Sequence, residues 1–162
     1  MLSRDHTNLV QKLARQCLER GILLVTAESC TGGLLSSLLT QESGSSKWFD
    51  RGFVTYSNNS KIDSLGVQEE TLENFGAVSQ EVANEMSIGA LKNSEANLSI
   101  SITGIAGPDG GSLAKPVGTV YFSIANQKKV ILEHKSDFKG SRQTIRKESV
   151  LCVLNKLLNL TL

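Results

Sequence analysis

ILLVTAESCTGGLL, residues 22–35, decides the reading of this chain. ILLVT, residues 22–26, is continuously apolar, the mark of a strand covered on both faces. AESCTGG follows at once, small and polar, and turns the chain into a helix expected over about 32–40. A buried strand leading through a glycine turn into a helix is the opening unit of an α/β sheet.

Working outward, Leu9, Val10, Leu13, Ala14, Cys17 and Leu18 recur at helical spacing and predict a helix over about 5–20, ended by Gly21. Gly44, Ser45 and Ser46 break the second helix, and FVTY at 53–56 reads as a strand. The polar turn SNNS and a short helix lead to Gly66. Ser79 has the character of an N-cap, with Val82, Met86 and Ala90 along one face of a helix to about Asn93. LSISITG, 98–104, is a second buried strand, and it ends in the glycine-rich GIAGPDGG. VGTVYFSIA (117–125) and KVILEHKSDF (129–138) predict a hairpin. Gly140 and Ser141 open a closing helix that buries Ile145, Val150, Leu154 and Leu158. The order predicts a three-layer α/β/α domain around a mixed, partly parallel sheet, with all of residues 1–162 in one domain.

Composition narrows the function classes. A net charge of +1 and few aromatics exclude a polyanion-binding platform, so no nucleic-acid partner is expected. Cys17, Cys30 and Cys152 form no CxxC pair and are odd in number, which argues against a disulfide framework or zinc site. Cys17 and Cys152 fit helix core positions. No apolar run approaches 18 residues and the polar start lacks a signal-peptide core, so a soluble cytoplasmic protein without membrane contact is expected.

Three segments set small polar residues just beyond a strand: TAESCTGG (26–33), YSNNSK (56–61) and TGIAGPDGG (103–111). Ligands of open α/β sheets bind at that end of the strands. Ser29, Cys30 and Thr31 open a helix, and Gly32 and Gly33 allow close approach to backbone N–H groups that suit an anion or oxyanion, or simply cap the helix. Lys61 is a general base only if its surroundings hold the amine neutral, with Tyr56 donating to or orienting its partner; otherwise it is a solvated cation. Only His6 and His134 are available to a Ser–His–Asp triad, and neither follows a catalytic-looking loop. No metal-ligand cluster is evident. If the chain is a hydrolase, serine with lysine is the pairing these residues allow.

In the glycine-rich loop, Asp109 can accept from a hydroxyl while the backbone surrounds a phosphate or ribose. Arg142, Arg146 and Lys147 lie in the first turns of the closing helix, where the macrodipole favours acids. Either Arg142 and the helix start hold an anion such as a phosphate monoester, or these cations pair with Glu148 and other acids. Glu28 suits the start of the second helix electrostatically.

Taken in order, TAESCTGG (26–33), GSSKWFDRGFVTYSNNSK (44–61), LGV (65–67), GAVSQEVANEM (76–86), SITGIAGPDGG (101–111), KPVGTVYF (115–122) and Gly140–Arg142 resemble the C-terminal domain family of the competence-damage-inducible protein CinA. Within that family the stand-alone nicotinamide-nucleotide amidases are the most similar, and the likeness spans about residues 5–160. It implies hydrolysis of nicotinamide mononucleotide to nicotinic acid mononucleotide and ammonia, in pyridine-nucleotide recycling, without metal or organic cofactor. It also implies a serine nucleophile in ESCTGG assisted by the Tyr and Lys of YSNxxK, which fall on Ser29, Tyr56 and Lys61. Candidate substrate-binding residues are Cys30, Thr31, Gly32, Gly33, Asn58, Thr103, Gly104, Gly107, Asp109, Gly110 and Arg142. The resemblance allows a homo-oligomer. Two other readings stand beside it: Cys30 as nucleophile, and a catalytically silent nucleotide-binding or regulatory paralogue.

Overall fold

The computed structural model describes residues 4–160, with side chains from residue 7 onward, so His6 lies outside the described side chains. In chain order the elements are α1 (Arg4–Arg20), β1 (Leu24–Glu28), α2 (Leu34–Leu39), β2 (Phe49–Val54), α3 (Asn58–Leu65), α4 (Glu69–Phe75), α5 (Gln80–Lys92), β3 (Leu98–Gly104), β4 (Thr119–Asn126), β5 (Val130–Asp137) and α6 (Arg142–Leu158). The strands form one mixed sheet in the order β2-β1-β3-β4-β5. β1 runs parallel to both β2 and β3, while β4 and β5 continue antiparallel. This is the expected α/β arrangement.

Alternation along the two central strands assigns the layers. Leu24, Ile100 and Ile102 face a core shared with α1, α2 and α6, which includes Leu13, Leu35, Phe122, Val150 and Leu154. Val25 and Ala27 face the other side, against Leu65, Val82 and Met86 of α3 and α5. The hydroxyls that β3 buries there are satisfied locally: Ser101 donates to the Ala83 carbonyl of α5 at 2.6 Å. β1 is buried along its whole length, which explains why its sequence shows no polar alternation.

Several boundaries differ from expectation. The first strand begins at Leu24, because Ile22 N–H closes onto the Cys17 carbonyl of α1 and Leu23 N–H is taken by the Asn97 side chain. The second helix is only Leu34–Leu39, since residues 31–33 are turn. β2 starts at Phe49 and ends at Val54, so Thr55 and Tyr56 lie beyond it. It is an edge strand, where the charges of Asp50 and Arg51 are tolerated. SNNS is the capped start of α3: Ser57 and Ser60 form a reciprocal capping box. α4 was not expected at all. Cys152 is half-buried, not a core residue, and so is Leu158.

The topology sends the carboxyl ends of β1, β2 and β3 to one edge of the sheet. β4 starts and β5 finishes at that same edge, so the loop before β4 and the start of α6 arrive there too.

Candidate active site

Glu28, the last residue of β1, is fully buried and points toward α2. Its carboxylate accepts from the N–H groups of Gly33, Leu35 and Ser36 and from the Ser36 hydroxyl, at 2.6–3.1 Å. The expected partnership with the helix start is therefore a direct one. To deliver those amides the chain must reverse tightly, and Gly32 and Gly33 take φ of 57° and 90°, conformations that disfavour other residues.

Ser29 extends the ladder by one step, donating its N–H to Ile102 at 2.9 Å. Strand alternation turns its side chain away from α2, toward α3. There Lys61, 1% exposed, occupies the first turns of α3 and reaches back past the helix start. Its Nζ lies 3.1 Å from Ser29 Oγ and donates to the Thr55 carbonyl at 2.7 Å. Burial lowers its pKa from the ordinary 10.5 to about 8. The neutral form of an amine held that way gives one N–H to Thr55 and can turn its lone pair to the serine hydroxyl.

The thiol next door behaves in the opposite sense. Cys30 is buried, and burial pushes its pKa up to about 12, assisted by the carboxylate of Glu28. A thiolate is the nucleophilic form, and burial disfavours it at Cys30. The N–H groups of Cys30 and Thr31 have no backbone acceptor among the described residues, while Gly32 N–H closes onto the Ser29 carbonyl at 3.0 Å.

Ser29 and Lys61 form the floor of an open cleft of about 270 Å³. Cys30, Thr103, Gly104, Gly107, Asp109, Gly110 and Arg142 line it, as does Tyr56. The structure does not bring the remaining sequence candidates there. Thr31 is buried beneath the turn, the Gly32 and Gly33 amides are used internally, and Asn58 faces a separate hollow beside Glu69 and Leu72 of α4. Tyr56 stands at the mouth, 60% exposed, and its hydroxyl accepts from Arg142 at 2.6 Å, so the Ser29–Lys61 contact is direct.

Among the described residues, the cations of α6 form no ion pair with Glu148 or another acid. Arg142 also donates to the Gly107 carbonyl at 2.8 Å, and Arg146 donates to the Thr31 carbonyl at 2.7 Å. Sequence reading missed the Thr55 carbonyl, the wall formed by Ala77, Val78, Ile105 and Ala106, and the task of Arg146. Only Arg146 left a signal, its spacing of four from Arg142, which sets both on one helix face.

The model of the CinA C-terminal domain matches residues 6–161. The chain belongs to that family. It is 45% identical over 157 residues to the nicotinamide-nucleotide amidohydrolase PncC of Escherichia coli K12, covering 97% of this chain and 95% of the relative. The PncC of Enterobacter agglomerans is 49% identical over 139 residues, 86% of this chain and 85% of that one. Among solved structures, the competence/damage inducible protein CihA of Agrobacterium tumefaciens superposes with a TM-score of 0.94 at 43% identity, with 99% of each chain covered.

Proposed function

We propose that this protein is a serine amidase that hydrolyses the carboxamide of nicotinamide mononucleotide, releasing ammonia and nicotinic acid mononucleotide. The observation that carries the reading is the 3.1 Å contact between Ser29 Oγ and a desolvated Lys61 Nζ at the floor of an open cleft. Two relatives at 45% and 49% identity bear the name nicotinamide-nucleotide amidohydrolase, which supplies the substrate class.

Neutral Lys61 takes the hydroxyl proton as Ser29 Oγ bonds to the carboxamide carbon. Negative charge develops on the former carbonyl oxygen, where the Cys30 N–H donates. As the C–N bond breaks, Lys61 returns its proton to the departing nitrogen, which leaves as ammonia. Lys61 then deprotonates a water that attacks the ester carbon, and as the acyl–Oγ bond breaks it passes that proton to Ser29 Oγ, restoring hydroxyl and amine as the carboxylic acid departs. The Thr55 carbonyl, 2.7 Å from Nζ, keeps the amine aimed throughout. Arg142 at the mouth offers its guanidinium to the phosphate in place of the Tyr56 hydroxyl, and Asp109 accepts from a ribose hydroxyl. This chemistry needs no metal or organic cofactor.

Purified protein is incubated with nicotinamide mononucleotide, with free nicotinamide as control, and ammonia is measured by a coupled assay. Release from the nucleotide is expected. Calorimetric binding of the nucleotide without any ammonia would replace this reading with a silent binding protein.

A further inference from the structure

Two features of Arg146 are unexpected for its position. It puts a cation in the early turns of α6, against the macrodipole, and buries its Nε with no hydrogen-bond partner among the described residues. Its one side-chain hydrogen bond among the described residues is the 2.7 Å bond to the Thr31 carbonyl. That carbonyl belongs to the peptide joining Thr31 to Gly32, and the N–H of the same peptide closes onto Ser29 at 3.0 Å. The peptide is thus pinned at both ends, one by the nucleophile's own carbonyl and one by a helix from the far end of the chain.

Gly32 and Gly33 follow the pinned peptide with positive φ, and the two N–H groups just before it, those of Cys30 and Thr31, have no backbone acceptor among the described residues. Glu28 grips the far side of the turn through the Gly33 N–H at 3.1 Å, and Arg146 adds the side-chain grip on the Thr31 carbonyl, without which that peptide is held only by its own bond to Ser29. α6 is a rigid place from which to hold that peptide, since Ser141 caps the helix and Ile145, next to Arg146, is buried in the core.

We propose that Arg146 is a positioning residue that locks the Ser29–Gly33 turn so that the Cys30 N–H, at the cleft, faces the charge developing on the substrate. The inference rests on the serine amidase reading. Arg146 touches no reacting atom; it acts through the Thr31 carbonyl, on the transition state more than on ground-state binding.

The test is steady-state ammonia release from nicotinamide mononucleotide by Arg146→Ala, Arg146→Gln and Ser29→Ala. Both Arg146 variants are expected to lose about 10²-fold in kcat, the size of effect that follows misplacement of an oxyanion donor, with KM within about threefold. The apparent pKa near 8 set by Lys61 is expected to persist in both. Millimolar guanidinium ion should raise kcat of Arg146→Ala severalfold by occupying the vacated space, and leave Ser29→Ala unaffected. An unchanged kcat, or a kcat loss in a folded alanine variant that guanidinium does not relieve, overturns the inference. If Arg146→Ala does not fold by circular dichroism, Arg146→Gln decides on the kcat and KM criteria alone. Turnover by Ser29→Ala would overturn the underlying reading instead; normal Arg146 variants beside an inactive Ser29→Ala would sink only this inference.

Discussion

Raising the pH from 7 to 9 is expected to increase kcat/KM about tenfold, through a single ionisation near pH 8. The magnitude follows from Lys61. Its pKa of about 8 leaves about a tenth of the amine neutral at pH 7, half at pH 8 and about nine tenths at pH 9. Only the neutral amine accepts the proton of Ser29, so activity climbs with unit slope below pH 8 and levels above it. The assay is ammonia release at low nucleotide concentration across pH 6 to 10. Replacing Lys61 with Met should remove both the activity and the inflection, with a loss of about 10²- to 10⁴-fold, the usual worth of a general base. Two results would refute the reasoning: a rate independent of pH across this range, or an inflection near 6.5 that survives in Lys61→Met, which would mean that an imidazole carries the proton.

Other consequences are open to measurement. The folded state holds the Lys61 proton less tightly than the unfolded chain does, so between pH 8 and the ordinary 10.5 the unfolded chain binds more protons. Stability contributed by this lysine is therefore missing below pH 8 and returns as pH rises through that window; urea unfolding should show wild type gaining about 3 kcal/mol relative to Lys61→Met across it. Gly89→Ala places a methyl on the Leu65 carbonyl, where α5 crosses the end of α3, with the Leu65 carbonyl carbon 2.7 Å away. A loss of about 2 kcal/mol or more in urea unfolding is expected, together with lower kcat because α3 carries Lys61. Tyr56→Phe removes the acceptor of Arg142 at the mouth and leaves the Ser29–Lys61 contact alone. Because the phosphate displaces that hydroxyl from Arg142, KM should not rise and kcat should stay within about threefold, and an inactive variant would return Tyr56 to the proton path.

What the sequence made legible follows from which forces are local. LSISITG became β3 at the expected bounds because a run buried on both faces has few alternative uses. Ser79 and Ser141 cap α5 and α6 because capping is a contact of three residues. The polar, short α4 carries too little periodicity to declare itself; the six-residue α2 declared its place but not its ends, and β2 showed only its last residues because its start hides behind charges that only an edge position tolerates. The site divides in the same way. Ser29 and the glycines of its turn stand out, since their spacing is itself the structure. Whether Lys61 is buried depends on packing between α3, the end of β1 and Thr55, which no window of sequence contains. For the same reason Thr31, Gly32 and Gly33 were candidates for ligand contact, whereas tertiary partners 115 residues away in the case of Arg146, and next door in the case of Glu28, use their polar groups internally.

The central claim is that the oxygen of residue 29, and not the sulfur of residue 30, attacks the substrate. Ammonia release from nicotinamide mononucleotide by Ser29→Ala and Cys30→Ala, measured side by side at pH 8.5, tests it most directly. Cys30→Ala should keep its turnover within about tenfold, and Ser29→Ala should lose at least about 10³-fold, as befits removal of a nucleophile. Sustained turnover by Ser29→Ala, with Cys30→Ala inactive, would contradict it.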